Sequence, residues 1–311
     1  MGDFISEVKS GLRRFKNQFG QKAKSREGMK TLGHFIQQGF PAQLRSGLIR
    51  IISGAIPSES KSVFEKIEAI RQEIEDRGNE EVPIFYSPKP IDPNSDDASR
   101  VTTPGELKTF TCEHLAKNTS VPKDVGQLMH LIARDSGAQT LLELGSCVGI
   151  GASYLASVPT CQRFISFEGS AGLAKIAKHS TLQVFEKAEM YNLMFEEGLD
   201  TVLPTLNQDL DFAWIDGHHE KQATLHYFDR IKPHLKKGAI VAFDDIYWST
   251  DMLEAWEQLR QAKGFSHTID VGVCGIGIWT GEDQSPREWS VNRFVRSGNW
   301  QPQKPAGWKQ A

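Results

Sequence analysis

Cysteine is scarce in this sequence: four cysteines occur in 311 residues, and none forms a CxxC pair or a zinc-type spacing with histidine. Neither a disulfide framework nor a structural metal site of that kind is indicated, and a reducing compartment fits best. No apolar run approaches ~18 residues, and the N-terminus lacks the apolar core of a secretory signal. We therefore expect a cytoplasmic protein without a membrane-spanning segment.

An overall excess of positive charge is also missing, because the net charge is -3. Nucleic-acid-binding proteins are usually basic, so no nucleic-acid partner is expected for the chain as a whole. The charge is uneven, however: residues 1–56 contain ten Lys and Arg against three Asp and Glu, a net +7. Apolar residues recur at helical spacing from Phe4 to Phe19 and again in residues 40–57. Such a basic amphipathic arm packs on its own or a partner subunit, which we favour, or lies on an anionic membrane.

The remaining sequence divides by composition into three further regions. A helix is predicted where apolar residues from Val63 to Ile74 share one face, with serines before it and Gly78 after it. Residues 82–105, rich in Pro, Ser and Asp, predict a long loop. The predicted organisation is a basic arm (1–56), a helix and loop module (57–104), an α/β domain (105–281) and a tail (282–311) with Trp289, Trp300 and Trp308, aromatics that we expect to dock on a surface.

From about residue 105 the pattern alternates between helices and short apolar strands. Five such strands are followed by a helix and then by two consecutive strands. This order predicts an α/β fold with a doubly wound, Rossmann-like sheet of seven strands that ends in an antiparallel hairpin. The strands are predicted in "TLLELG", "RFISFEG", "AEMYNLMF", "DFAWIDG", "AIVAFDD", "FSHTIDVG" and "CGIGIWTG".

The first strand leads into a glycine turn and then a helix, in "LLELGSCVGIGASYLA" from Leu141 to Ala156. Its glycines allow tight turning and close approach of the backbone to a ligand. The spacing differs from G-x-G-x-x-G and no phosphate-binding P-loop is present, which disfavours a pyrophosphate cradle. The next strand ends in Glu168, where a carboxylate can accept hydrogen bonds from both hydroxyls of a ribose. Together these features indicate a nucleoside-type ligand.

The glycine turn together with "FISFEGS" resembles the first two motifs of class I S-adenosylmethionine-dependent methyltransferases, and the resemblance covers roughly residues 105–281. It implies S-adenosylmethionine as the cofactor, with Glu168 on the ribose. The segment "NTSVPKDVGQLMHL" resembles the catechol-type stretch that covers the cofactor, although an N-cap at Ser120 followed by Pro122 explains the same residues structurally. It further implies that Glu143 and Gly145 lie by the methionine end of the cofactor and that Gly198 and Leu199 flank the adenine. The other candidate cofactor contacts are Ser146, Gly149, Asp216 and, in the covering segment, Thr119, Ser120 and Val121.

Three aspartates follow two later strands: Asp216 after "DFAWI", and Asp244 with Asp245 after "AIVAF". Carboxylates that converge repel each other unless a proton or cation intervenes, and oxygen ligands suit hard ions. We therefore predict a site for Mg²⁺ or another divalent cation at these three residues. The alternatives are that Asp244 or Asp245 only caps a helix, or that Asp216 only binds the amine of the cofactor.

This acidic set resembles the cation-dependent O-methyltransferases of the catechol and caffeoyl-CoA type, and still more the macrocin-type sugar O-methyltransferases. The sequence departs from the catechol type at His219 and Asp245, where that family has lysine and asparagine. His219 follows Asp216 by three residues and is the predicted general base, since imidazole titrates near working pH. The alternatives are His218 as the base, or a structural role for both histidines. Tyr247 and Trp248 are either an apolar wall for an acceptor ring or packing residues.

The predicted function is methyl transfer from S-adenosylmethionine to a hydroxyl of a small molecule such as a sugar, a phenol or another natural-product-like metabolite, with divalent-metal assistance and catalysis by His219 and Asp216. A base-directed nucleic-acid methyltransferase is disfavoured because the N/D-P-P-Y/F motif is absent after the fourth strand. RNA 2'-O-methylation, an aminopropyltransferase and a non-catalytic module with the same fold stay open as alternatives. The arm and the tail also leave open a homo-oligomer.

Overall fold

A computed structural model describes residues 26–85 and 107–291. Its N-terminal part consists of helices α1 (residues 26–37), α2 (Ala42–Ser53) and α3 (Ser58–Asp76). The helix predicted between Val63 and Ile74 is confirmed in α3, which buries one face. The serines expected to cap α3 do not do so, because its N-cap is Pro57 and no side chain accepts a hydrogen bond there. The predicted apolar repeat from Phe4 to Phe19 lies outside the described residues.

Two short strands follow α3 and pair as an antiparallel hairpin, β1 (Glu81–Phe85) with β2 (Leu107–Thr111). The predicted loop over residues 82–105 is therefore wrong at its start, and the rest of it lies outside the described residues. Val82 and Ile84 are buried, whereas Glu81 and Pro83 are exposed, which is the period-two pattern of a strand. Pro83 hid this pattern in the sequence, since proline usually argues against a strand.

A short helix, α4 (Cys112–His114), continues into a π-helical turn at Leu115–Thr119, and α5 (Lys123–Ser136) begins after it. The N-cap of α5 is Pro122, so the alternative that Ser120 caps this helix is wrong. The hydroxyl of Ser120 instead donates to the carbonyl of Leu115 at 2.9 Å. This stretch closes one side of the cavity described below.

The remaining chain forms an eight-stranded sheet with helices on both faces. Its strand order is β10-β8-β9-β7-β6-β3-β4-β5, and all pairs are parallel except those that involve β9. The predicted doubly wound sheet and terminal antiparallel hairpin are confirmed. Its strands are β3 (Thr140–Leu144), β4 (Arg163–Phe167), β5 (Glu189–Tyr191), β6 (Leu210–Ile215), β7 (Leu235–Phe243), β8 (Gly264–Asp270), β9 (Gly275–Glu282) and β10 (Arg287–Ser290). Its helices are α6 (Ile150–Ala156), α7 (Ala171–Leu182), α8 (Phe195–Val202), α9 (Lys221–Ile231) and α10 (Thr250–Leu259).

The eighth strand, β10, was not predicted, because it is short and lies in a polar stretch. It pairs with β8 and places Trp289 against the rings of Phe35 and Phe40, with centroid distances of 5.2 and 5.3 Å. The guanidinium of Arg287 donates to the carbonyl of Gln38 at 2.7 Å. Trp289 thus docks on the N-terminal helices, whereas Trp300 and Trp308 lie outside the described residues.

Two apolar cores lie on opposite faces of the sheet. On β3, Leu141 contributes to one core, while Leu142 and Leu144 contribute to the other. The α2 helix packs on α5 within the first core, where Gly47 lies directly against Ile132. Within residues 26–85 and 107–291, no helix is both long enough and apolar enough to cross a bilayer.

Candidate functional site

The strand order reverses beside β3, since β4 lies on one side of it and β6 on the other. A crevice for a ligand is expected at the carboxyl ends of the strands at such a point. Hydrogen bonding continues one residue past each strand, with the amide of Asp216 donating to Leu144 at 2.9 Å and that of Asp244 to Ile215 at 3.0 Å. The acidic residues that follow β6 and β7 therefore start from neighbouring positions at the same edge of the sheet.

The glycine turn after β3 lies against this edge. Gly145 has a φ of 100° and donates from its amide to the carbonyl of Phe167 at 3.0 Å. A side chain there would collide with the backbone carbonyl of Asp216, so only glycine allows β3 and β6 to end this close together. A Cβ on Gly151 would lie 2.9 Å from the Oε1 atom of Glu143. The turn is thus held directly over the buried carboxyl of β3.

A cavity opens between this turn, the stretch that precedes α5 and the end of β6. Gly145 and Ser146, two of the predicted cofactor contacts in the glycine turn, line the cavity. Gly149, the third, does not line it and packs on Ala177 instead. Cys147 and Ile150 also line the cavity but were not predicted as contacts, although their position within the glycine motif could have indicated them. The lining residues are Thr119, Ser120, Val121, Gly145, Ser146, Cys147, Ile150, Gly151, Asp216 and His219.

Glu143 is fully buried beneath the cavity. Its Oε2 atom accepts a hydrogen bond from the hydroxyl of Ser166 at 2.6 Å, but Oε1 has no hydrogen-bond partner. Burial, opposed by the Ser166 bond and assisted by the charge of Glu168, raises the pKa of Glu143 to about 8. The hydroxyl of Ser146, which lines the cavity, is also buried without a partner. Unpaired buried polar groups are costly, so these two atoms fit a ligand that supplies polar partners.

Glu168 follows β4 and is fixed by two backbone amides. Its Oε2 atom accepts from the amide of Cys147 at 3.0 Å, and Oε1 accepts from that of Ser170 at 2.9 Å. Burial raises the pKa of this carboxyl to about 7 even though both amides lower it. The bond to Cys147 ties Glu168 to the glycine turn, so the second predicted motif lies beside the first.

The three aspartates expected to converge do meet at the edge of the sheet. Burial raises the pKa of Asp216 well above its usual value, and the charges of Asp244 and Asp245 raise it further. Burial likewise raises the pKa of Asp245 to about 6, with His219 acting in the opposite direction. Asp244 accepts a hydrogen bond from the thiol of Cys274.

The carboxylate oxygens of these three aspartates are ligands of the kind that suits a hard cation. Among residues 26–85 and 107–291, no group of three or more His, Cys, Asp or Glu side chains is placed to hold a metal ion. Asp244 instead bonds to Cys274 and to Asp216, so protons satisfy part of the cluster. The divalent cation therefore stays a prediction.

The two adjacent histidines have different surroundings. His219 lines the cavity, and its Nε2 atom lies 3.8 Å from both Asp216 Oδ1 and Asp245 Oδ2. His218 turns away toward α9, where its Nδ1 atom is 3.0 Å from the hydroxyl of Tyr227. Burial lowers the pKa of His218 to about 4. The geometry therefore favours His219 over His218 as the residue that contacts a bound molecule.

Left-handed backbone marks the same edge of the sheet. Cys147, His218 and Asp245 have φ values of 47°, 55° and 51°, and in the described part of the chain Gln208 is the other residue besides glycine with positive φ. Such conformations are strained for residues with a Cβ and cluster at functional sites. The backbone is thus strained just after β3, β6 and β7, at the edge of the sheet where the cavity lies. The sequence does not reveal this feature.

The remaining residues named from the sequence do not line the cavity. Gly198 and Leu199 are buried in α8, where Gly198 packs on the ring of Phe167, so their contact with an adenine stays a prediction. The hydroxyl of Tyr247 donates to Asp270 at 2.6 Å, whereas Trp248 is 55% exposed. Tyr247 is thus held by the sheet, and Trp248 is open to solvent.

The strand order, the glycine turn and the acid after β4 agree with the class I methyltransferase domain that the resemblance implies. In agreement, residues 142–246 match the family model described as a methyltransferase domain. The chain therefore contains a methyltransferase domain, and the resemblance predicted from the glycine turn and Glu168 is confirmed.

The chain is similar to several known proteins. Tricin synthase 2 from Oryza sativa subsp. japonica is 28% identical over 154 residues, which cover 46% of this chain and 50% of the relative, so the chain spans about half the length of the curated relative it matches. The O-methyltransferase TomG from Streptomyces achromogenes, solved with SAM, is 20% identical with a TM-score of 0.44, over 53% of this chain and 83% of TomG. An O-methyltransferase from Bacillus cereus in complex with SAH is 18% identical with a TM-score of 0.45, over 52% and 83% of the two chains.

Proposed function

We propose that this protein transfers a methyl group from S-adenosylmethionine to a hydroxyl oxygen of a small molecule. The observation that carries the proposal is a cavity in which the glycine turn, the end of β6 and His219 meet above the unpaired carboxyl oxygen of Glu143. The methyltransferase domain over residues 142–246 and the similarity to tricin synthase 2 support it.

Each end of the cofactor has a group of matching chemistry in the site. The unpaired Oε1 of Glu143 and the hydroxyl of Ser146 can accept from an ammonium or bind a carboxylate at the amino-acid end. Glu168, held by two amides, presents a carboxylate that suits the two hydroxyls of a ribose. Val121 and Ser120 line the cavity on the opposite side.

The chemical requirement on the protein is modest. S-adenosylmethionine supplies a sulfonium methyl that is already activated for displacement, so the site must mainly align the acceptor oxygen with that carbon. We propose that His219 removes the hydroxyl proton of the acceptor as the oxygen attacks. Asp216 and Asp245 each have a carboxyl oxygen 3.8 Å from the Nε2 atom of His219, where a carboxylate favours the positive charge that the ring then gains.

We also propose that a divalent cation assists the reaction, and Asp216, Asp244 and Asp245 are the residues that would bind it. Alignment of the acceptor and removal of its proton by His219 do not depend on this cation. A sugar, a phenol or another hydroxylated metabolite is the proposed acceptor, and a screen of such compounds with labelled S-adenosylmethionine would identify it.

Thermal unfolding in the presence of S-adenosylhomocysteine tests the proposal. The product nucleoside should stabilise the protein by about 2.7 kcal/mol at 100 times its Kd, whereas ATP should not, since the turn lacks a phosphate cradle. If neither ligand raises the Tm, the proposed cofactor is wrong.

Addition of Mg²⁺ in the same experiment tests whether a divalent cation binds at the three aspartates. A further rise in Tm with both ligands, lost in Asp244→Asn, would support the cation. Equal Tm values with and without Mg²⁺ would show that the proposed cation is wrong, whereas the proposed methyl transfer would still stand.

A further inference from the structure

The wall of the cavity opposite the glycine turn is an irregular stretch of chain. The π-helical turn at Leu115–Thr119 ends at Ser120, and three residues from Thr119 to Val121 line the cavity. Single π-helical turns are uncommon and occur frequently at functional sites. The carbonyl of Leu115 accepts from the amide of Ser120 at 2.9 Å, whereas the carbonyls that follow lie at the end of the helical turn, so their position depends on partners from outside it.

Arg71 of α3 binds this wall from behind. Its Nη1 atom donates to the carbonyl of Ala116 at 2.9 Å, and its Nη2 atom donates to the carbonyl of Val121 at 2.7 Å. One planar guanidinium therefore joins the two ends of the stretch, a geometry that a lysine cannot reproduce. The side chain of Arg71 is only 14% exposed, so these hydrogen bonds are largely shielded from water.

The same guanidinium is connected to the other wall of the cavity. Its Nε atom donates to Glu68 Oε2 at 3.2 Å, and Glu68 Oε1 accepts from the hydroxyl of Tyr154 at 2.9 Å. Tyr154 belongs to α6, the helix that also contributes Ile150 and Gly151 to the cavity. A chain of charge-assisted hydrogen bonds thus runs behind both walls.

Tyr154 is itself fixed by packing. Its ring lies against Gly126 of α5, where a Cβ would collide with it, and its centroid is 5.3 Å from that of Phe64 in α3. The tyrosine hydroxyl of α6 is therefore held by packing against α5 and α3 where it donates to Glu68.

From this arrangement we propose that Arg71 is a positioning residue, which sets the separation of the two cavity walls and so the affinity for the cofactor. This inference rests on the proposed function, because it assumes that the cavity binds S-adenosylmethionine. It also implies that cofactor binding depends on α3, which lies outside the residues 142–246 that match the methyltransferase family model.

Calorimetric titration of the full chain with S-adenosylhomocysteine tests the inference. Arg71→Gln should raise the Kd about tenfold, equivalent to about 1.4 kcal/mol, and Arg71→Lys should give an intermediate value. Lys66→Gln is the matched control, since Lys66 lies on the same helix and its Nζ atom donates to the carbonyl of Gln183 at 2.6 Å, away from the cavity. This control should keep the wild-type Kd.

Hydrogen exchange at residues 115–121 measures the order of this wall directly. A general loss of stability would instead raise exchange throughout the protein. Exchange at residues 115–121 should rise in Arg71→Gln and Arg71→Lys but not in Lys66→Gln. If Arg71→Gln is folded and binds S-adenosylhomocysteine within twofold of wild type, or if Arg71→Lys binds it as tightly as the wild type does, the inference is wrong while the proposed function stands. If the wild-type protein does not bind the ligand, the proposed function fails and this inference fails with it.

Discussion

At the residue scale, Glu143 occupies a position in which an ionised carboxylate lowers the stability of the folded protein. It is fully buried, and one of its oxygens has no partner, which raises its pKa from 4.5 to about 8. The folded state therefore retains a proton that the unfolded chain releases above pH 4.5. The resulting stabilisation is complete below pH 4.5 and is lost as the pH rises toward about 8.

Glu143→Gln should therefore flatten the pH dependence of unfolding. The neutral amide keeps the shape of the side chain and removes the titration, so urea midpoints should fall less between pH 5 and pH 8 than in the wild type. Some slope should remain, because burial also raises the pKa of Glu168, to about 7. Equal slopes in the two proteins would show that Glu143 is not the buried acid that the structure indicates.

The histidine pair yields a second prediction at this scale. Once an acceptor is known, His219→Gln should lower the initial rate by about 10²- to 10⁴-fold, the usual contribution of a general base. His218→Gln is the comparison, since His218 faces Tyr227 rather than the cavity, and it should lose less than about tenfold. A larger loss in His218→Gln than in His219→Gln would reverse the assignment.

At the scale of single elements, two glycines in helices have opposite surroundings. A methyl group on Gly126 of α5 would press on the ring of Tyr154, whereas none of the atoms around Gly33 of α1 lies within 4 Å of an added Cβ. Gly126→Ala should cost about 1–3 kcal/mol through overpacking, and Gly33→Ala should gain about 0.4–1 kcal/mol of stability. Urea denaturation measures both, and a change of the same sign in the two variants would contradict the packing described for α5 and α6.

The elements also show how far the sequence predicts this molecule. The strands from β3 to β9 follow from apolar runs next to turn residues, and the glycine turn predicts the cavity because glycine is required where Gly145 meets Asp216. The strand β1 contains a proline, and β10 is short and polar, so their pairing depends on partners distant in sequence. The hydrogen bonds of Arg71 span 45 and 50 residues, and no local pattern encodes contacts of that kind.

At the scale of the whole molecule, the N-terminal helices and the last described strand hold each other. Trp289 of β10 packs on Phe35 and Phe40 and is 9% exposed. Trp289→Ala should lower the free energy of unfolding by about 3–5 kcal/mol, as expected for removal of a buried aromatic ring. Trp248→Ala, at a tryptophan that is 55% exposed, should change it by less than about 0.5 kcal/mol. Comparable losses in both variants would mean that Trp289 does not join the two ends of the described chain.

The central claim for the whole molecule is that the glycine turn and the acid after β4 form one nucleoside site. Calorimetric titration with S-adenosylhomocysteine, in wild type, Glu168→Gln and Glu189→Gln, tests it most directly. Glu189 is the matched control because it is a carboxylate on the neighbouring strand that is bound by Arg163 at 2.7 Å, whereas Glu168 is bound by the amide of Cys147 in the glycine turn. We predict that Glu168→Gln weakens binding about ten- to a hundredfold, since hydrogen bonds to a charged group are lost, while Glu189→Gln binds like wild type. Wild-type affinity in Glu168→Gln would contradict the account.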